Sequence, residues 1–204
     1  MSVEEKNKDA TYELIIETAK SLFFKEGKFN ATTQEIADAA GVNRTLINYY
    51  FRSRDTLFDL VFIDAKKEED KKKEMIVFSD LPLREKMEEF MDHFFEMSQK
   101  YPYMEMYIVN HMNKHDLCEL NDSKQTSRIL NKFYVELERE MTIGTIHKME
   151  PVQFVLNFIS MLSFPVSMRP LIQQGMELSD KEYERILSDR KEVILKTIFK
   201  EVGS

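Results

Sequence analysis

From Gly41 to Arg54 the chain reads GVNRTLINYYFRSR and contains no carboxylate. Within it Arg44, Arg52 and Arg54 are cations, while Asn43, Thr45, Asn48, Tyr49 and Tyr50 carry neutral hydrogen-bonding groups. Arginine and asparagine can pair two hydrogen bonds with guanine and adenine edges. Tyrosine hydroxyls, arginines and helix N-termini suit phosphate oxygens, which fix register and carry no sequence information. The chemistry open to such a surface is recognition of duplex DNA.

These residues need a scaffold, and their neighbours specify one. Thr32 followed by Glu35 forms a capping box, in which hydroxyl and carboxylate satisfy each other's unpaired backbone N–H groups at a helix start. Ile36, Ala37 and Ala40 give that helix an apolar face, and the small Ala37 admits a close neighbour. Gly41 can end it in the left-handed conformation without a Cβ penalty. Asn43 caps a second helix, with Ile47 and Tyr50 spaced to face inward. The unit is a helix-turn-helix, which lays its second helix in a DNA major groove. A preceding helix from about Asp9 to Glu26, with Ile15, Ala19, Leu22 and Phe23 on one face and Gly27 as its stop, completes a three-helix head.

The net charge of −7 over 204 residues argues against nucleic acid until its distribution is considered. Residues 1–54 hold eight Lys/Arg and eight Asp/Glu, so the whole acidic surplus lies beyond residue 54. A neutral head with an acid-free segment sits on an acidic body, and phosphates feel the local field. Cys118 is the single cysteine, so no intrachain disulfide can form and a reducing compartment is expected. The N-terminus, MSVEEKNKD, is unlike a signal peptide, and no apolar run approaches the ~20 residues that span a bilayer. The expected location is cytoplasmic.

Five Gly, five Pro and abundant Leu, Met, Glu and Lys favour helix throughout. Ser53 caps a fourth helix whose apolar residues Leu57, Leu60, Val61 and Ile63 give way to KKEEDKKKE at 66–74, a solvated helical end. After the break at Leu81-Pro82, helices are expected over 83–100, from near Pro102, and through Ile129, Phe133, Leu137 and Met141 to Gly144, with a loop around 115–125. Pro151 opens a strongly apolar helix interrupted by Pro165 and Pro170. Ser179 and Glu182 form a second capping box, and Tyr183, Ile186, Leu187, Ile194 and Ile198 line one stripe of the last helix. The fold class is therefore all-α, with a helix-turn-helix head at residues 1–54 and a helical ligand-binding and dimerisation body at 55–204, about nine helices in all.

The apolar character of 151–164 exceeds what one face of a surface helix needs. Two such helices from each of two chains make a four-helix dimer bundle, with Phe154, Phe158, Phe164, Leu187, Ile194 and Ile198 as its contacts. The alternative is a helix buried within one chain.

An N-terminal three-helix head ending in Tyr49-Tyr50-Phe51-Arg52-Ser53-Arg54-Asp55 with Leu57, ahead of a long helical body, resembles the tetracycline-repressor (TetR) family of bacterial transcription regulators. The specific match covers roughly residues 9–60 and rests also on Thr32-Thr33, Ile36-Ala37 and Ala40-Gly41-Val42. The resemblance implies a homodimeric, ligand-responsive regulator, most simply a repressor, that binds a pseudo-palindromic operator. It also implies DNA contacts at Thr33, Gln34, Asn43, Arg44, Thr45, Asn48, Tyr49, Tyr50 and Arg54, the last as a phosphate ligand. Two departures matter: Leu46 stands where a small polar residue is frequent, and Asn48 where an aromatic is. The bases that are read stay open.

A small, hydrophobic or aromatic effector is expected in a body pocket drawn from Phe94, Met97, Tyr103, Met104, Tyr107, His111, Phe133, Phe158 and Met161, although each is also ordinary core filler. His111 and His115, with Asp116, Cys118 and Glu119 close behind, have metal-ligand chemistry at helical spacing. No second pre-spaced cluster accompanies them, and no metal or other cofactor is expected. No Gly-rich phosphate loop, nucleophile elbow or paired metal-carboxylate motif appears, so no catalytic residue is assigned. The competing reading is a helical small-molecule or metal-binding protein that does not bind DNA.

Overall fold

The computed structural model describes residues 3–106 and 123–200. Among them nine α-helices form: α1 (Val3–Lys20), α2 (Thr33–Ala40), α3 (Arg44–Phe51), α4 (Arg54–Val77), α5 (Leu83–Lys100), α6 (Ser123–Ile143), α7 (Pro151–Ser167), α8 (Arg169–Gly175) and α9 (Asp180–Ile198). A π-helical turn, Ser21–Lys25, extends α1. No strand forms among the described residues beyond one isolated antiparallel bridge, Ile146 to Phe199. Tyr107, His111, His115 and Cys118 lie outside the described residues.

The described chain divides into two compact units, one of residues up to Lys71 with 99–106, the other of Lys72–Ser98 with 123–200. In the first, Ile15, Ala19 and Phe23 meet Ile36 and Ala37 of α2, Ile47 and Phe51 of α3, and Leu57 and Val61 of α4 as its buried core. The widened π turn buries Leu22, Phe23 and Phe24 in succession, after which Gly27 turns the chain at φ +69°. Lys20, only 2 % exposed, joins α1 to α4 through Glu68 at 2.9 Å and Asp64 at 3.4 Å.

The second unit has its own core, in which Met87 and Met91 of α5, Leu137 of α6, Phe154, Phe158 and Leu162 of α7 and Ile194 of α9 are buried together. Pro165 does not interrupt α7, as the sequence suggests it should; the helix continues through it to Ser167. A proline inside a helix leaves the carbonyl four residues earlier without its N–H partner. Here that carbonyl, Met161 O, accepts Arg190 Nε of α9 at 3.0 Å, and Pro165 O itself accepts the Tyr183 hydroxyl. Arg190 of α9 thus replaces the missing ladder bond. Among the described residues no single helix is long and apolar enough to cross a membrane; α7 and α8 reach that composition only as a pair bent by 74°.

Candidate nucleic-acid interface

The turn that presents α3 is built as its residue types require. Thr32 N–H donates to Glu35 Oε2 at 2.7 Å and Glu35 N–H to Thr32 Oγ1 at 3.2 Å, closing the capping box of α2. The Thr32 N–H bond, then the Thr32 hydroxyl, holds the Glu35 carboxyl below its ordinary range. Gly41 sits at φ +66°, where a side chain would be strained, and its N–H and that of Val42 close the end of α2. Asn43 Oδ1 accepts the Thr45 N–H at 2.8 Å and the Thr45 hydroxyl at 2.7 Å, capping α3.

On α3, Ile47 and Phe51, four residues apart, are fully buried. Phe51 therefore takes the inward place that spacing assigned to Tyr50, which is half-buried against Tyr12 with ring centroids 5.9 Å apart. Arg44, Thr45, Asn48 and Tyr49 of α3 and its C-cap Arg52 are exposed, Tyr49 at 64 %. Tyr49 meets Tyr50 edge-on at 5.1 Å. Arg44 Nε donates to Thr33 Oγ1 at 3.1 Å, joining the first residue of α3 to the first of α2. Gln34 is exposed and donates to Asp38 at 2.7 Å. Leu46 is half-buried.

Eight of the nine expected DNA-contacting residues thus fall on α2 and α3 or in the turn between them. The Asn43 oxygen is used as the cap that its place in the sequence implied, which leaves its amide N–H groups for a partner. The engagement of Arg54 the sequence did not foretell. Arg54 turns back on the head: Nε donates to Ala31 O at 3.0 Å, Nη2 to Phe29 O, and Nη1 to Asp55 Oδ1 at 3.0 Å.

In the second unit a cavity of about 240 Å³ is walled by Ile76, Val77, Phe90, Phe133, Val155 and Phe158, among others. Of the expected pocket residues that are described, Phe133 and Phe158 line it. Phe94 packs at the edge of the core and Met97 is half-buried on α5. Met161 lines a separate hollow of about 260 Å³ with His147 and Asn157. Tyr103 and Met104 belong to the first unit, where Tyr103 N–H donates to Phe24 O at 3.0 Å. Tyr107 and His111 lie outside the described residues. Missed altogether were Ile76 and Val77, because they follow the charged run of 66–74, and Lys86. Lys86 is 4 % exposed at the cavity wall and donates to Val77 O at 2.9 Å and to both oxygens of Glu136 at 2.7 and 2.9 Å. Among the described residues no group of His, Cys, Asp and Glu could hold a metal ion.

The residues expected at a dimer contact divide by burial. Phe154, Phe158, Ile194 and Ile198 are buried in the core of the unit, Leu187 is half-buried, and of the six only Phe164 is exposed. The exposed apolar residues are Val152, Leu156, Ile159 and Phe164 on α7 and Ile186 and Val193 on α9. Leu156 is two positions from both Phe154 and Phe158, about 200° around a helix, and so lies on the other side of α7.

Residues 15–61 match the family model for bacterial regulatory proteins of the tetR family. No curated protein sequence matches the chain. Solved structures share the fold at low identity. A transcriptional regulator of the TetR/AcrR family from Thermobifida fusca aligns with TM-score 0.65 and 14 % identity, covering 91 % of this chain and 96 % of its own. A TetR-family regulator from Haemophilus influenzae aligns at 0.59 and 15 %, covering 95 % and 99 %. One from Thermus thermophilus aligns at 0.58 and 17 %, covering 93 % and 96 %.

Proposed function

We propose, from the match of residues 15–61 to the tetR-family model and the fold shared with a TetR/AcrR-family regulator, that the chain binds a pseudo-palindromic DNA operator as a homodimer and represses transcription until a small hydrophobic or aromatic effector releases it. DNA binding is assigned to residues 1–54, effector binding and dimerisation to 55–204, and the site of action to the cytoplasm, where the operator would be. The observation that carries the reading is the exposed residues of α3 and its C-cap, Arg44, Thr45, Asn48, Tyr49 and Arg52, with no carboxylate between Gly41 and Arg54. Arg44 and Asn48 are the base readers; Tyr49, Tyr50, Thr33 and Gln34 meet phosphate or sugar, and the N-terminus of α3 adds its own partial positive charge.

The exposed stripe of α7 with Ile186 and Val193 of α9 supports a four-helix dimer contact. The cavity walled by Phe90, Phe133 and Phe158 supports an apolar effector. An effector acts only through its difference in affinity between DNA-competent and DNA-incompetent states, and couplings of ~1–3 kcal/mol change operator affinity about 5–150-fold. The test is selection of duplexes from a randomised pool by the full chain. The expected product is two half-sites about 34–36 Å apart or a multiple of that. Failure to enrich any sequence would leave a helical small-molecule-binding protein and end this reading.

A further inference from the structure

We infer that Arg54 is a positioning residue that ties the segment before α2 to the start of α4, in place of a phosphate ligand; the inference rests on the DNA-binding reading above. The guanidinium directs Nε at Ala31 O (3.0 Å) and Nη2 at Phe29 O, while Nη1 reaches Asp55 (3.0 Å). Its carbon lies 5.3 Å from the centroid of Phe58 and 6.0 Å from that of Phe23, and these two rings, 4.7 Å apart, meet edge to face on one side of the cation. All three nitrogens have an acceptor within the head, and the side chain is 30 % exposed.

The carbonyls that Arg54 holds belong to the segment that delivers Thr32 to its capping position. Ala31 is buried, and Thr32 follows directly as the cap of α2. Thr33, the next residue, receives Arg44 Nε from α3. Arg54 is therefore linked through Ala31, Thr32 and Thr33 to the proposed base reader Arg44. A planar fork can serve two carbonyls and pack against a pair of rings at once; a lysine ammonium is a compact point charge and cannot reproduce this. Removing the fork leaves the carbonyls of Phe29 and Ala31 without these donors and frees the segment that sets where α2 begins.

The experiment uses the full chain and the tightest duplex that the wild-type protein selects from the randomised pool, with affinity measured across a salt series for wild type, Arg54→Lys and Arg54→Ala. Amide hydrogen exchange at residues 32–36 is followed without DNA. Positioning predicts that both variants lose affinity on the order of tenfold, that the salt slope of Arg54→Ala equals that of wild type, and that exchange at 32–36 is faster in both. A phosphate ligand predicts a slope lowered by about 1 for Arg54→Ala, wild-type affinity for Arg54→Lys, and unchanged exchange; that result overturns the inference. If Arg54→Ala does not fold, Arg54→Lys decides alone, since wild-type affinity and exchange in it overturn the inference and weakened binding with faster exchange supports it. A wild-type chain that selects no duplex removes the DNA-binding reading and this inference with it. Selection followed by full lysine rescue removes only this inference.

Discussion

Helices α3 and α7 each bury one narrow apolar stripe and differ in everything they leave outside. α3 buries Ile47 and Phe51 and exposes Arg44, Thr45, Asn48 and Tyr49. α7 buries Phe154, Phe158 and Leu162 and exposes Val152, Leu156, Ile159 and Phe164. In both, the buried stripe holds the helix to its own unit. The outer face then states what kind of surface it can meet: donors and cations suit a polyanion with hydrogen-bonding edges, whereas branched and aromatic side chains suit another apolar face. Burial explains the fold of each helix, and the face that remains sets what it can meet.

The sharpest way to break this comparison is to truncate one residue from each stripe of α7. Phe158→Ala should cost about 3–5 kcal/mol of unfolding free energy, because it empties a site enclosed by the core. Leu156→Ala should stay within about 0.5 kcal/mol when measured on dilute monomer. Equal costs in denaturant unfolding would mean that the two stripes are not distinct. Placing a charge on the outer stripe comes next. Leu156→Glu should weaken self-association by on the order of 3 kcal/mol, since a carboxylate would be buried without a partner, and sedimentation should show the monomer. A dimer of undiminished affinity would put the interface elsewhere.

On α3 the expected effects are smaller and differ in kind. Arg44→Ala or Asn48→Ala should lose about 1–3 kcal/mol at particular base pairs and relax the preference there. A uniform loss at every position in the selected duplex would demote both residues to phosphate contacts. The smallest effect concerns the scaffold. Thr32→Ala should cost about 1 kcal/mol of head stability through the lost cap. Glu35, whose carboxyl is held below its ordinary range by the Thr32 N–H, contributes stability that is present above the unfolded-state value and is lost as pH falls through the lower, folded one. Glu35→Gln should therefore flatten the acid side of the head's stability profile and leave its neutral plateau's pH dependence unchanged.

The head was legible because its signals are local. A capping box, a glycine turn and an asparagine cap each depend on residues within four positions, and all three form as the residue types require. The body was legible only as helices. Pro165 reads as a break, yet Arg190 and Tyr183, distant in sequence, accommodate it within α7. The choice between the two stripes of α7 depends on which neighbours pack against it, so the dimer contacts expected at Phe154, Phe158, Ile194 and Ile198 fell on the core side. The same limit hid Ile76, Val77 and Lys86 from the cavity, since α5 and α6 had to be brought beside the end of α4 before a wall existed.

By itself the sequence determined an all-helical chain with a helix-turn-helix near its start, because helix periodicity, caps and the absence of carboxylates between Gly41 and Arg54 are properties of neighbours along the chain. Tertiary structure decided which face of each helix is free. It turned Arg54 inward onto Phe29 and Ala31, kept Leu156 and Phe164 outside, and enclosed Lys86 with Glu136 at the wall of an apolar cavity. Those outcomes depend on contacts between residues far apart in sequence, and periodicity along one helix cannot say which of its stripes a distant neighbour will cover.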